Sequence, residues 1–150
     1  MTKREPASII VCFESKWHEH IASKSISVAF RKQGPKAFRP DWLYAYMAAP
    51  ISAITARMPV IQYDSLPLDE AVQFASDGGL TEAELRAYAA PPFAARWSEL
   101  VVYSFGKIQL AKSPVTMKQM REAWGYWPSS TFTPLSEDAK RMIDEQGQFK

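Results

Sequence analysis

The sequence predicts an α+β domain: a small, mostly antiparallel β-barrel with flanking helices. Three observations lead there. Runs of strand-forming residues recur along the chain, and helical segments fall between them irregularly. The helices are too few to cover both faces of a parallel sheet, which argues against a doubly wound architecture. The 150 residues show no repeat, low-complexity tract or linker, so 1–150 is expected to be a single domain, long enough to bury a core.

The first strand is Ala7 to Phe13, a compact β-branched run. Glu14 or Ser15 starts a helix to about Ser23, with Trp17 and Ile21 four residues apart on its buried face. The second strand, Ile26 to Lys32, alternates: Ile26, Val28 and Phe30 on one side, Ser27, Ala29 and Arg31 on the other. Gln33 to Pro40 is a basic loop bounded by prolines. The third strand is Trp42 to Ala48, and the fourth runs from Ser52 to about Tyr63. Pro59 inside it should mark an edge, a bulge or a break, because proline cannot donate to a ladder. A helix from about Leu68 to Ser76 ends at Asp77-Gly78-Gly79, where glycine accepts the left-handed cap. Thr81 and Glu84 have capping-box spacing for the next helix, to about Ala89, and Pro91-Pro92 forbids its continuation. Ser98 to Leu110 is rich in strand formers, with Gly106 as a bulge or bend. Pro114-Val115-Thr116-Met117 leads into a short helix through Trp124, and Gly125 to Ser130 is an aromatic loop. Leu135-Ser136-Glu137-Asp138 caps a last helix to about Glu145, with a sparse apolar stripe of Ala139, Met142 and Ile143.

Hydrophobic residues make up 47% of the chain and charged residues 23%, ordinary values for a soluble globular protein. No apolar run is long enough to span a bilayer. The start, Met1-Thr2-Lys3-Arg4-Glu5-Pro6, lacks a signal-peptide core, so a cytoplasmic location without membrane attachment is the expectation. Cys12 is the only cysteine, which excludes an internal disulfide; on its strand it reads as a small core hydrophobe. The net charge of +2 is too small to indicate a polyanion partner by itself. Its distribution says more: Lys24, Arg31, Lys32, Lys36 and Arg39 precede Asp41 with no acid between them.

The stretch from Ile21 to Lys32, followed by Leu43-Tyr44-Ala45-Tyr46, resembles the ASCH-type domains of the PUA-like superfamily. Those domains carry, after a helix, roughly Ile-x-x-Gly-x-Lys-Thr-Val-Glu-x-Arg. Here Ile21 takes the leading position, Ser27-Val28 the Thr-Val pair, and Arg31-Lys32 the closing cations. The segment Thr81 to Tyr88 looks like the family's helical insert, and Pro128 with Phe132 like its late proline-aromatic segment. The resemblance implies a small barrel module associated with RNA and modified nucleobases. In this frame the family's glycine is replaced by Lys24, its lysine by Ile26 and its glutamate by Ala29. Small acetylcytidine amidohydrolases of the superfamily use a lysine and a threonine in this segment. The frame that aligns Arg31 puts Ile26 and Ala29 there; a shift by two residues restores Lys24 and Ser27 but moves Arg31 out of register.

Two readings of function follow, with a third beside them. In the first, RNA or a modified nucleotide binds in a basic, aromatic-lined cleft, DNA being admitted by the same chemistry. Arg31, Lys32 and Lys24 hold phosphate, Ser27 hydrogen-bonds the ligand, and Trp17 and Trp127 stack on bases. Trp42, Tyr44 and Trp124 are read as core, while for Trp127 the core and stacking readings stand level. The second is a hydrolase of RNA or a modified nucleoside, with Lys24 and Ser27 as the reacting pair. The third is a protein-interaction module using the last helix. His18 and His20, the only histidines, are two apart on a helix and face different ways, so no metal site and no cofactor is implied.

Overall fold

The computed structural model describes residues 7–89 and 99–150. Seven strands among them form one connected sheet: β1 (Ser8–Phe13), β2 (Val28–Arg31), β3 (Trp42–Met47), β4 (Ala53–Pro67), β5 (Glu99–Phe105), β6 (Gln109–Thr116) and β7 (Thr133–Pro134). Five α-helices flank it: α1 (His18–Ala22), α2 (Leu68–Ala71), α3 (Glu82–Tyr88), α4 (Met117–Trp124) and α5 (Glu137–Gly147). Pro91-Pro92, the expected stop to the α3 helix, lies outside the described residues.

The strand order is β2-β5-β4-β3-β1-β7, with β6 also on β4. The α+β class is as expected, but two details are corrected. The sheet does not close into a barrel, and β1 pairs with β3 in parallel, Ser8 opposite Trp42 through Phe13 opposite Met47. The parallel pair arises because the chain leaves β1 through α1 and β2 before returning as β3, a crossover rather than a hairpin. Closure fails because β7 contributes only Thr133 and Pro134 beside Ile10 and Ile9, and proline cannot extend a ladder.

β4 holds the sheet together by changing partners. Ala53 to Pro59 pairs with β3, while Val60 to Pro67 pairs with β5. Pro59 sits at the exchange, opposite Trp42, and a bulge follows between Val60 and Gln62. The segment read as one strand around Gly106 divides into β5 and β6 there, the Gly106 N–H donating to the Pro59 carbonyl at 2.9 Å.

Period-two alternation distributes the strand side chains among three apolar clusters. Ile9, Val11 and Phe13 of β1 join Leu43, Ala45 and Met47 of β3 and Tyr103 of β5 in the central core. Ile10, Tyr44 and Tyr46 face the other way, onto α4 and α5, so the Ile143 stripe of α5 is spent on packing. Val28 and Phe30 of β2 face Leu85 of α3. Ile26, grouped with them by alternation, instead joins Ala29 in the central core, because the ladder starts only at Val28.

The caps are where the spacing placed them. The Thr81 Oγ1 accepts from the Glu84 N–H at 3.1 Å, and Glu84 Oε1 accepts from the Thr81 N–H at 2.9 Å. Ser136 caps α5, also as expected, while Thr116 and Gln119 make a second capping box that the sequence reading did not include. Gly79 takes the left-handed conformation, at φ 74°.

Candidate functional site

A cleft of about 580 Å3 opens where β1 gives way to the turn Ser15–Trp17 and where β2 and the C-terminal end of α3 approach that turn. Its lining is apolar along Ile26, Val28, Ala29 and Phe30. Two aromatic rings, Trp17 and Tyr88, belong to it, as do Arg31 and the charged Glu14, Lys16 and Glu84.

Trp17 is positioned by the short 3-10 turn that precedes α1 and rests against the central core. Its ring lies 5.1 Å from that of His20, and a Cβ on Gly79 would come within 3.2 Å of its Cζ3. Tyr88, near the end of α3, is 38% exposed and carries the Lys32 ammonium 4.5 Å from its ring centre. Burial pushes the Tyr88 phenol above its ordinary pKa; Arg31 and the Lys32 backbone N–H oppose the shift.

Arg31 is the last residue of β2 and is half-buried. One terminal nitrogen donates to the Phe30 carbonyl at 2.6 Å and the other to the Cys12 carbonyl at 2.8 Å. The guanidinium also lies 4.6 Å from the Phe13 ring centre. Burial pushes its pKa down, and Tyr88, Tyr103, Cys12 and Glu14 push it back. Cys12 is itself raised by burial, against the nearby Arg31. Lys16 pairs with Glu14 at 3.5 Å, and the capping hydrogen bonds to Thr81 hold the Glu84 carboxyl below its usual range.

Of the residues singled out in the sequence, Trp17 and Arg31 line this cleft, and Lys32 packs on the Tyr88 ring. Lys24 does not line it; it sits exposed in a left-handed turn after α1, at φ 58°. Ser27 is exposed ahead of β2, its N–H donating to the Asp77 carbonyl at 2.8 Å, and is also outside the lining. Trp127 is 67% exposed with the Arg121 guanidinium 3.4 Å from its ring centre. Ser130, from the same loop, does reach the cleft. Ile26 and Ala29, the apolar substitutes in the frame that aligns Arg31, both line it.

Sequence reasoning missed Tyr88, Glu84 and Lys16. Tyr88 carried no signal of its own in the sequence, because only the packing of α3 brings its last turn to this cleft. Trp42 and Trp124 are packed against the second cluster, and Tyr44 is fully buried, as expected for core. Among the described residues no group of three or more His, Cys, Asp or Glu side chains converges, and no helix is long and apolar enough to cross a membrane.

No family model matches the chain, and no curated protein matches it. Solved structures do. The ASCH protein of Zymomonas mobilis superposes with a TM-score of 0.79 at 14% identity, covering 92% of this chain and 94% of that one. A single-substitution variant of it reaches 0.81 at 13% identity, over 95% and 96% of the two chains. The N-terminal domain of Staphylothermus marinus McrB is more distant, at 0.58 and 11% identity over 93% and 94%. The architecture is thus an open-sheet α+β fold shared with these structures. More narrowly, it is the ASCH-type fold, as the segment from Ile21 to Lys32 led us to expect.

Proposed function

We propose that residues 1–150 act as one nucleic-acid-binding domain that takes a single base, from an RNA strand or as a modified nucleotide, into this cleft. One observation carries the reading: a cleft of about 580 Å3 is lined by two aromatic rings, Trp17 and Tyr88, together with Arg31. The volume lies in the range of small-ligand sites, and a base stacked on an aromatic ring gains about 1–3 kcal/mol. The ASCH-type fold supports the same assignment. The charge inside is balanced, Lys16 and Arg31 against Glu14 and Glu84, so the cleft suits a neutral base better than a phosphate chain. Phosphates would stay outside, toward Lys32. The hydrolase reading loses support, because Lys24 and Ser27 lie outside the lining and Ile26 and Ala29 offer no reacting group.

The test is fluorescence anisotropy with labelled single- and double-stranded RNA and DNA across a salt series. Saturable binding that favours single strands is expected, with Trp17→Ala weakening it roughly five- to 150-fold. Lys24→Ala and Ser27→Ala should leave it unchanged. Absence of binding at low salt, or an unaffected Trp17→Ala variant, would overturn the assignment.

A further inference from the structure

Arg31 is held in a way that fixes what it can offer a ligand. A guanidinium has five N–H donors and no acceptor. Two of the five go to main-chain carbonyls, of Phe30 on β2 and of Cys12 on β1, and its face rests near Phe13. Those anchors set the orientation of the fork. The remaining donors have no acceptor among the described residues. Both cleft carboxylates are engaged elsewhere, Glu14 with Lys16 and Glu84 with the Thr81 N–H. None of the Arg31 nitrogens is among the buried polar atoms that lack a partner, so its unspent donors are met by solvent and are open to a ligand that supplies an acceptor.

Phosphate is a poor candidate for that acceptor. It would enter beside Glu14 and Glu84 and displace water against Ile26, Val28, Ala29 and Phe30. A neutral carbonyl oxygen on a base edge meets the same donors without the repulsion. An amino group at that edge would face donor with donor, which rejects it.

Taking the base-binding reading of the cleft as its foundation, we infer that Arg31 reads the oxo edge of a neutral base and thereby sets base preference. Guanine, with adjacent O6 and N7 acceptors, and uracil, with its carbonyls, fit this fork; adenine presents an amino group where the oxo group should be.

The experiment is isothermal titration of the full chain with guanosine, uridine, adenosine and 2,6-diaminopurine riboside, and with guanosine 5′-monophosphate. Guanosine and uridine should bind about tenfold or more tightly than adenosine and the diaminopurine. The monophosphate should gain little over the nucleoside and show little salt dependence. Arg31→Lys keeps the charge and loses the fork, and should bring the bases to within about threefold of one another. The diaminopurine comparison alters the ligand alone, so it stands even if that variant is unstable. Binding of the nucleosides without preference, or a preference that persists in Arg31→Lys, would overturn this inference and leave base binding intact. A monophosphate bound tenfold tighter with a steep salt slope would make Arg31 a phosphate clamp and overturn it as well. If no nucleoside and no oligonucleotide binds, both this inference and the base-binding reading fall together.

Discussion

Replacing Asp144 with alanine should destabilise the domain by about 2–4 kcal/mol. Asp144 lies on α5 and gathers three donors, one each from β3, β4 and α5 itself. Its Oδ1 accepts from the Tyr44 hydroxyl at 2.6 Å and pairs with an Arg57 terminal nitrogen at 2.9 Å. Its Oδ2 pairs with Lys140 at 3.0 Å. Arg57 is further engaged by Gln109 at 2.7 Å and lies 4.9 Å from the Phe149 ring centre. Breaking a fully buried ion pair costs about 3–5 kcal/mol, and an exposed one about 0–1. Asp144 and Arg57 are each 23% exposed, which puts their pair between those limits. The Tyr44 hydroxyl, on a side chain wholly shielded from solvent, loses the acceptor it has here, a cost of about 1–3 kcal/mol. For a chain of this size the sum corresponds to a fall in Tm of roughly 5–15 °C. Urea unfolding followed by tryptophan fluorescence, with a thermal melt beside it, measures the loss. A Tyr44→Phe and Asp144→Ala double-mutant cycle isolates the hydroxyl contact and should give a coupling of at least about 0.5 kcal/mol. A loss below about 1 kcal/mol in Asp144→Ala, or no coupling in the cycle, would show that α5 is held by its apolar stripe alone.

Two further predictions concern the backbone and pH. Gly79→Ala forces a Cβ into a left-handed position and to within 3.1 Å of Ile26 and 3.2 Å of Trp17. A cost of about 1–2 kcal/mol is expected from the backbone alone, with a change in tryptophan emission that a neutral surface substitution would not produce. The Tyr44, Tyr103 and Tyr126 phenols are all raised, and Tyr63 is pushed up to about 12, burial being the main cause in each. Their folded pKa values exceed the unfolded value near 10, so the fold retains their protons. Stability should be at its full value below pH 10. It should then fall as pH rises toward 12, by up to about 1.4 kcal/mol per unit for each such tyrosine. Tyrosinate absorbance and circular dichroism should therefore change together above pH 10; ionisation of every tyrosine near 10 with the fold intact would refute this.

What could be read from the sequence was what is decided over a few residues. The Thr81–Glu84 box, the left-handed Gly79 and the Ser136 cap depend on local hydrogen bonds and backbone sterics, and they appear at the expected positions. The partner exchange of β4 was half legible. Pro59 marked the place, but only the register with β3 and β5 shows that the strand continues through it. The parallel pairing of β1 with β3 has no local signature, since it depends on where the chain returns after β2. The site divides the same way. Trp17 and Arg31 came from a helix face and a strand end. Ser27 came from its match to the Thr-Val pair of the resembled segment, whereas in the structure it is exposed outside the lining. Tyr88 enters through the packing of α3 on β2, which no spacing within α3 encodes.

The open sheet and the cleft have one physical origin. Along the β7 edge of β1, the carbonyls of Ser8, Ile10 and Cys12 point the same way, because strand carbonyls alternate in direction. The Ser8 carbonyl accepts from the Leu135 N–H at 2.9 Å, and Ile10 pairs with Thr133. β7 then ends, and the Cys12 carbonyl is left beyond its reach. Arg31 takes it, at 2.8 Å, reaching across from the end of β2. A side chain thus makes the connection that a closed barrel would make with a backbone ladder. The gap between β1 and β2 that makes the sheet open is the gap the cleft occupies, lined by Phe13 and Glu14 from one side and by Ala29 and Arg31 from the other. A barrel closed by backbone pairing would have no room for a ligand there. Here a guanidinium spans the gap instead, tying the end of β2 to β1 through the Cys12 carbonyl while the sheet stays open.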